Sequence, residues 1–171
     1  MITQVDRFVT MTQEILDFSR GVSATNITEM SCGDVVEGAL MFIEKDLTKR
    51  NITIAKRLHY TGSVRLDADK MMRVFYNIAG NAADAMPKGG SLTVTTENLG
   101  TMCMIEFADT GFGMPDDVKR KIFEPFVTHG KKHGTGLGMA IVKKIIDDHN
   151  GKIEIESEMG KGTAIKLFLP L

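Results

Sequence analysis

The order of hydrophobic periodicities predicts an α+β chain, a two-layer sandwich in which a mixed β-sheet carries its helices on one face and one further helix precedes it. Three observations carry this expectation. From about residue 33 the patterns run helix, strand, strand, helix, strand, strand, loop, helix, strand, strand, which is not the alternating β-α-β order of a parallel sheet. With 171 residues, 43% hydrophobic and 25% charged, the chain suits one core and a short appendage. No apolar run nears the roughly 18 residues of a membrane span, and Met1 to Val9 lacks the basic start and apolar block of a signal peptide, so a soluble chain is expected.

The appendage comes first. Ile2, Val5, Val9, Thr12, Ile15, Leu16 and Ser19 follow steps of three and four, which predicts an amphipathic helix over 2–20 ended by Gly21. A short extended piece at 27–30 precedes Ser31-Cys32-Gly33-Asp34, a capping-type start for a helix over 33–49 with Val35, Val36, Leu40, Ile43 and Leu47 inward. Residues 51–58 alternate as a strand. After a turn at Thr61-Gly62, a short strand spans 64–66, and Asp67 can cap a long helix running to Met86, stopped by Pro87 and Gly89-Gly90. Strands over 91–97 and 102–108 are joined by Asn98-Leu99-Gly100, a hairpin turn. Pro115 opens a short helix to Ile122. An irregular stretch leads to Gly136, and Leu137, Ile141, Val142, Ile145 and Ile146 place a helix over 138–149. Strands over 152–157 and 163–169 flank a turn at 158–162. The twelve methionines are scattered, which suits core filler.

Charge and cysteine usage narrow the function. Lys plus Arg is 21 against Asp plus Glu 22, a formal net charge of -1, so nothing global attracts nucleic acid or an anionic membrane surface. Cys32 and Cys103 lie far apart, with no CxxC and no Cys/His metal spacing, which fits a reducing compartment and excludes a disulfide framework or structural zinc. From Lys119 to Lys144 there are seven Lys or Arg and one acid, Glu124, a local cationic stretch that fits an anionic ligand or a solvated face.

Three constellations could carry chemistry. Asn77, Asn81 and Asp84 are spaced four and three apart, so they lie within about 60° on one helix face. The apolar stripe Met71, Phe75, Ile78, Ala82 and Ala85 is centred about 120° away, so this polar face borders the core and either meets a cavity or faces solvent. Asp109-Thr110-Gly111-Phe112-Gly113 follows a strand directly. Its glycines let the backbone approach a flat ligand, and a buried Asp109 carboxylate would need a donor such as a base's exocyclic amine. An ordinary turn would use the same residues. Gly134-Thr135-Gly136-Leu137-Gly138 runs into a helix, where exposed N–H groups and the dipole favour phosphate. Neither a GxxxxGK[ST] loop nor a dinucleotide fingerprint is present. Lys131 and Lys132 could screen phosphate charge, while Phe123, Pro125 and Phe126 would pack the loop's hinge on the core. His129 and His133 have no helical metal spacing and read as surface.

Together, Asn77-Ile-Ala-Gly-Asn81-Ala-Ala-Asp-Ala-Met86, Asp109-Thr-Gly-Phe-Gly113, Lys121-Ile-Phe-Glu-Pro-Phe126 and Gly134-Thr-Gly-Leu-Gly138 resemble the N, G1, F and G2 boxes. These mark the ATP-binding catalytic domain of two-component sensor histidine kinases, in the superfamily that also holds gyrase, Hsp90 and MutL. The resemblance covers about residues 31–171. It implies a Bergerat-type fold, with residues 22–171 as the catalytic domain, ATP and Mg²⁺ as cofactors, and ATP-site roles for named positions. Asp109 would accept the adenine amine, Gly111 and Gly113 would pass under the base, and Thr163 would assist through water. Asn81 would hold Mg²⁺ with Asn77 beside it, and Gly136, Leu137 and Gly138 would meet the phosphates. Phe126, Lys131, Gly134 and Thr135 are placed at the same site, and the segment 127–135 resembles a short ATP lid.

Hydrolytic relatives in that superfamily carry Glu where this chain has Asn77. Asn cannot act as a base, so the resemblance favours a kinase whose γ-phosphoryl group waits for a protein nucleophile. Glu14-Ile-Leu-Asp-Phe-Ser-Arg20 resembles the end of the second helix of a dimerisation and phosphotransfer hairpin, which assigns residues 1–21 to that hairpin. None of His59, His129, His133 or His149 has a phosphoacceptor context. The implied partners are therefore a phosphoacceptor histidine domain of the same kinase and, downstream, a response regulator receiver domain, with a homodimer through the N-terminal helix in the full protein. A cytoplasmic location is implied, in a parent that can be membrane-anchored. Asp84 departs from the basic residue many histidine kinases carry there. An ATPase or serine kinase of the same superfamily, and a non-catalytic nucleotide sensor or scaffold, are the competing readings.

Overall fold

A computed structural model of the chain describes Thr12 and residues 25–127 and 135–171. The helix expected over 2–20 lies outside these residues apart from Thr12, as do Lys131 and Gly134. The element order is β1 (Thr28–Ser31), α1 (Cys32–Thr48), β2 (Ile52–Leu58), β3 (Ser63–Leu66), α2 (Ala68–Ala85), β4 (Gly90–Asn98), β5 (Met102–Asp109), α3 (Asp116–Lys121), α4 (Gly138–Asp148), β6 (Lys152–Glu158) and β7 (Gly162–Pro170).

The caps expected from the sequence form. Ser31 Oγ accepts from the Asp34 N–H at 3.1 Å, and Asp67 Oδ1 accepts from the Lys70 N–H at 3.2 Å, so each helix begins with a satisfied donor. Gly100, with φ of 86°, closes the β4–β5 hairpin while its N–H reaches Asn98 Oδ1 at 2.8 Å.

Five strands make one mixed sheet in the order β2-β4-β5-β7-β6, parallel between β2 and β4 and antiparallel elsewhere. β1 and β3 form a separate antiparallel ribbon. The parallel pair follows from α2, since a helix between two strands is the crossover that parallel pairing needs. Alternation sorts the faces: Leu92, Val94, Ile105, Phe107, Ile165, Leu167 and Leu169 are buried under the helices with Phe75, Ile78, Ile141 and Ile145. On the other face Lys166 pairs with Glu106 and Glu156. The methionine expectation holds in part, because Met71, Met86, Met104 and Met139 are buried but Met41 and Met159 stand on the surface.

One polar node sits inside the helical layer. His149 is buried at the end of α4, its Nε2 accepting from the Asp67 N–H at 2.9 Å and its Nδ1 lying 2.7 Å from the Ile145 carbonyl. An accepting Nε2 leaves the proton on Nδ1, so the neutral ring satisfies both neighbours. It ties the start of α2 to the end of α4, the helices on which the N and G2 boxes sit.

Candidate functional site

The site is built at the end of β5. Leu92 and Thr163 flank Asp109 across the sheet, from β4 and β7. Asp109 Oδ1 accepts from the Gly111 N–H at 2.8 Å and from the Thr163 N–H at 3.2 Å. Burial pushes this carboxyl above its ordinary range, and those two N–H groups only partly pull it back. With both donors on Oδ1, the other oxygen is the one a ligand's donor can use.

The loop after Asp109 is pressed between two elements. Phe112 donates its N–H to the Ala85 carbonyl at the end of α2, at 3.1 Å. A Cβ on Gly111 would lie 2.7 Å from the Ala85 Cβ, and one on Gly113, where φ is 69°, would lie 2.0 Å from the Glu158 carbonyl oxygen. Close approach, as well as chain reversal, therefore requires both glycines. Ser157 fastens the far side: its hydroxyl accepts from the Met114 N–H at 2.9 Å and lies 2.9 Å from Thr163 Oγ1. Ser157 is not a candidate on sequence grounds, and only the β6–β7 register, which pairs it with Thr163, reveals it.

Along α2 the half-buried Asn77 and Asn81 lead from this loop toward α4. A Cβ on Gly138 would come within 3.2 Å of Asn77 Oδ1, so the N box and the start of α4 are in direct contact. The N-cap of α4 is Leu137, fully buried, which makes no side-chain cap bond, and the first turn carries no acid. Its first N–H groups and its dipole favour an anion there. Thr135 Oγ1 accepts from the Leu137 N–H at 3.3 Å.

Phe126 differs from expectation. It is 71% exposed with φ of 68°, so it does not pack the hinge on the core; Phe123 does. The reason is local: the Phe126 N–H donates to the Gly136 carbonyl at 3.0 Å, and Gly136, with φ of 71°, has no room for a Cβ against the Phe126 backbone. That backbone lock leaves the ring outward. The structure thus brings Asn77, Asn81, Asp109, Gly111, Gly113, Leu137, Gly138 and Thr163 into one region, with Thr135, Gly136 and Phe126 at its rim.

Arg50 is a second residue that sequence reasoning missed. From the turn after α1 its Nη2 reaches Asp84 Oδ1 at 3.0 Å, beside Asn81. Nothing in the local sequence pairs them, since the two lie 34 residues apart.

A mixed five-stranded sheet under helices, with a buried carboxylate and a glycine loop at the end of β5, defines a class of α+β fold, and comparison with known proteins supplies the family. Residues 66–171 match the family of histidine kinase-, DNA gyrase B-, and HSP90-like ATPases, and the chain belongs to that family. Sporulation kinase C of Bacillus subtilis (strain 168) is 31% identical over 173 residues, covering 100% of this chain and 40% of the relative. The chain therefore spans less than half the length of that kinase. The catalytic domain of histidine kinase ThkA superposes with a TM-score of 0.77 at 30% identity, covering 85% of this chain and 95% of that one. ThkA in complex with response regulator protein TrrA gives a TM-score of 0.82 at 27% identity, covering 98% of this chain and 48% of ThkA. Among the described residues, no helix is long and apolar enough to cross a membrane.

Proposed function

We propose that this chain binds Mg-ATP and donates the γ-phosphoryl group to a histidine on a dimerisation domain of the same kinase, as the catalytic part of a two-component signalling protein. The observation that carries the reading is the Asp109 carboxylate, held through Oδ1 by two backbone N–H groups at the floor of a loop whose glycines press on neighbouring backbone. Its second oxygen accepts the adenine amine. Gly111 and Gly113 pass under the base, Thr163 assists through water, and Gly136, Leu137 and Gly138 meet the phosphates with Thr135, Gly134, Lys131 and Phe126 around them. Residues 22–171 form the catalytic domain, and residues 1–21 belong to the hairpin that presents the acceptor and dimerises. A response regulator receiver domain takes the phosphoryl group onward, and the unit works in the cytoplasm.

The residues present fit Mg²⁺. Among the described residues no group of three or more His, Cys, Asp or Glu could cage a metal, and Mg²⁺ bound to nucleotide needs one or two protein oxygens beside phosphate and water. The Asn81 amide oxygen, with Asn77 one turn away, supplies them. When bound, the ion draws together and neutralises the phosphate oxygens. Asn77 orients without taking a proton, so water is not activated and the phosphoryl group is kept for the acceptor.

The test uses ATP labelled on its γ-phosphate, with and without the parent's dimerisation domain supplied as a separate polypeptide. Acid-labile label is expected on that domain alone. Label on this chain's own histidines, or rapid phosphate release without acceptor, would overturn the reading.

Arg50 should tune the same step. Asp84 lies one turn from Asn81, and without the guanidinium of Arg50 more of its negative charge reaches the triphosphate. At roughly 10 Å in water each such charge pair is worth about 0.4 kcal/mol. Arg50→Ala is expected to weaken Mg-ATP binding about threefold while leaving adenosine binding unchanged. A surface pair of this exposure changes stability by less than about 1 kcal/mol, so thermal scans should barely move.

A further inference from the structure

The two cysteines, 71 residues apart in sequence, meet in the core with Sγ atoms 3.5 Å apart, both fully buried and both free. The nucleotide chemistry uses neither. Cys32 is the first residue of α1, where the helix dipole favours a thiolate, and Cys103 lies near the start of β5. An exposed turn lies against the Cys32 end of α1: the Cys32 N–H donates to the Gly62 carbonyl at 2.8 Å, Thr61 packs over Gly33, and Thr61 and Gly62 are exposed. Tyr60, whose hydroxyl donates to the Ser63 carbonyl at 2.6 Å, closes that turn.

We propose that Cys32 and Cys103 are an oxidisable dithiol, a modification site at which a hydroperoxide produces an intramolecular disulfide that fastens α1 to β5. The roles of the two sulfurs are unequal. The contact between the two sulfurs holds the Cys32 thiol below its ordinary range, while the same contact, together with burial, pushes Cys103 up. Cys32, at the N-terminus of α1 where the dipole favours the anion, is the attacking thiolate. Its sulfur takes the outer oxygen of the peroxide as the O–O bond breaks, giving a sulfenic acid and an alkoxide or hydroxide that picks up a proton. Cys103 sulfur then attacks the Cys32 sulfur, the S–O bond breaks, and the Cys103 proton leaves with the hydroxyl as water. Two thiols and one hydroperoxide become one disulfide, one alcohol or water, and one water. A closure of about 1.5 Å brings the sulfurs to bonding distance of about 2.0 Å, and local opening of the 60–63 turn admits a small oxidant.

The dithiol lies apart from the nucleotide loops, and its oxidation is read without an activity assay. The folded chain is treated with hydrogen peroxide and its mass read without reductant. A loss of about 2 Da with no remaining free thiol is expected, with a rise in Tm on the order of 10 °C because the bond closes a long loop, both reversed by dithiothreitol. Cys103→Ser, or Cys103→Ala if the serine variant fails to fold, should instead trap a sulfenic acid on Cys32 that a 1,3-diketone labels, with no rise in Tm. Thiols that stay free while the chain is folded, oxidation only in urea, or disulfides only between chains would overturn the proposal.

Discussion

Asp109→Asn is expected to weaken Mg-ATP binding by more than about tenfold, or 1.4 kcal/mol, while leaving Tm within about 3 °C of the parent chain. The asparagine keeps the shape and keeps an oxygen for the Gly111 and Thr163 N–H groups, so its orientation is pinned. What changes is the other arm. An NH₂ now faces the adenine amine, donor against donor, where an oxygen had accepted. Stability survives because the substitution removes a charge that burial disfavours. Calorimetric titration beside a thermal scan reads both quantities; a variant that binds as well as its parent would remove Asp109 from the adenine site.

The same carboxylate gives a pH signature of two opposite signs. Burial raises its folded-state pKa, so between the ordinary carboxylate range and that raised value the folded chain holds a proton that the unfolded chain has lost. This group's contribution to stability therefore falls as pH rises through the window and is not recovered above it. Adenine recognition runs the other way, because the ionised form is the better acceptor. Mg-ATP affinity should rise with pH through the same window, and Asp109→Asn should flatten both trends.

The parts of the fold legible in the sequence are those specified locally. α2 and α4 announce themselves by apolar spacing and by Asp67 and Gly138 at their starts, and the β4–β5 hairpin by Asn98-Leu99-Gly100. Pairing was not legible: nothing local tells β1 to join β3 apart from the main sheet, or β2 to lie parallel to β4, because those choices follow from where α2 crosses. The site divides in the same way. Asn77, Asn81, Asp109 and the glycines stand out as residue types in a pattern, whereas Ser157 and Arg50 become visible only through register and through a contact between distant turns. Phe126 shows the limit of composition. An aromatic beside the core would ordinarily be buried, but a positive φ and a hydrogen bond to Gly136 turn it outward. The cysteines show the converse, since sequence distance concealed a contact of 3.5 Å.

Gly162→Ala should be among the costliest conservative changes near the site, alongside Gly113→Ala. Gly162 has φ of 94°, and a Cβ there would lie 2.0 Å from the Asp109 carbonyl oxygen, with Thr110 Cα at 3.2 Å. A left-handed conformation costs an alanine about 1–2 kcal/mol, and the overlap is with backbone, which no side-chain rotation relieves. The total should reach at least about 3 kcal/mol, a fall in Tm of about 6–12 °C. Any relaxation must move the end of β5 or the turn between β6 and β7, and both position the Asp109 carboxylate, so Mg-ATP affinity should fall with stability. Gly80→Ala is the contrasting case. Gly80 is exposed in the middle of α2, and a methyl group added there would have nothing within 4 Å, so alanine should add about 0.5–1 kcal/mol through helix propensity. It lies between Asn77 and Asn81 in sequence yet should leave nucleotide affinity unchanged. Equal stability of the two variants in denaturant titration would mean that the loop after Asp109 does not rest on Gly162, and that the carboxylate is positioned by its two N–H donors alone.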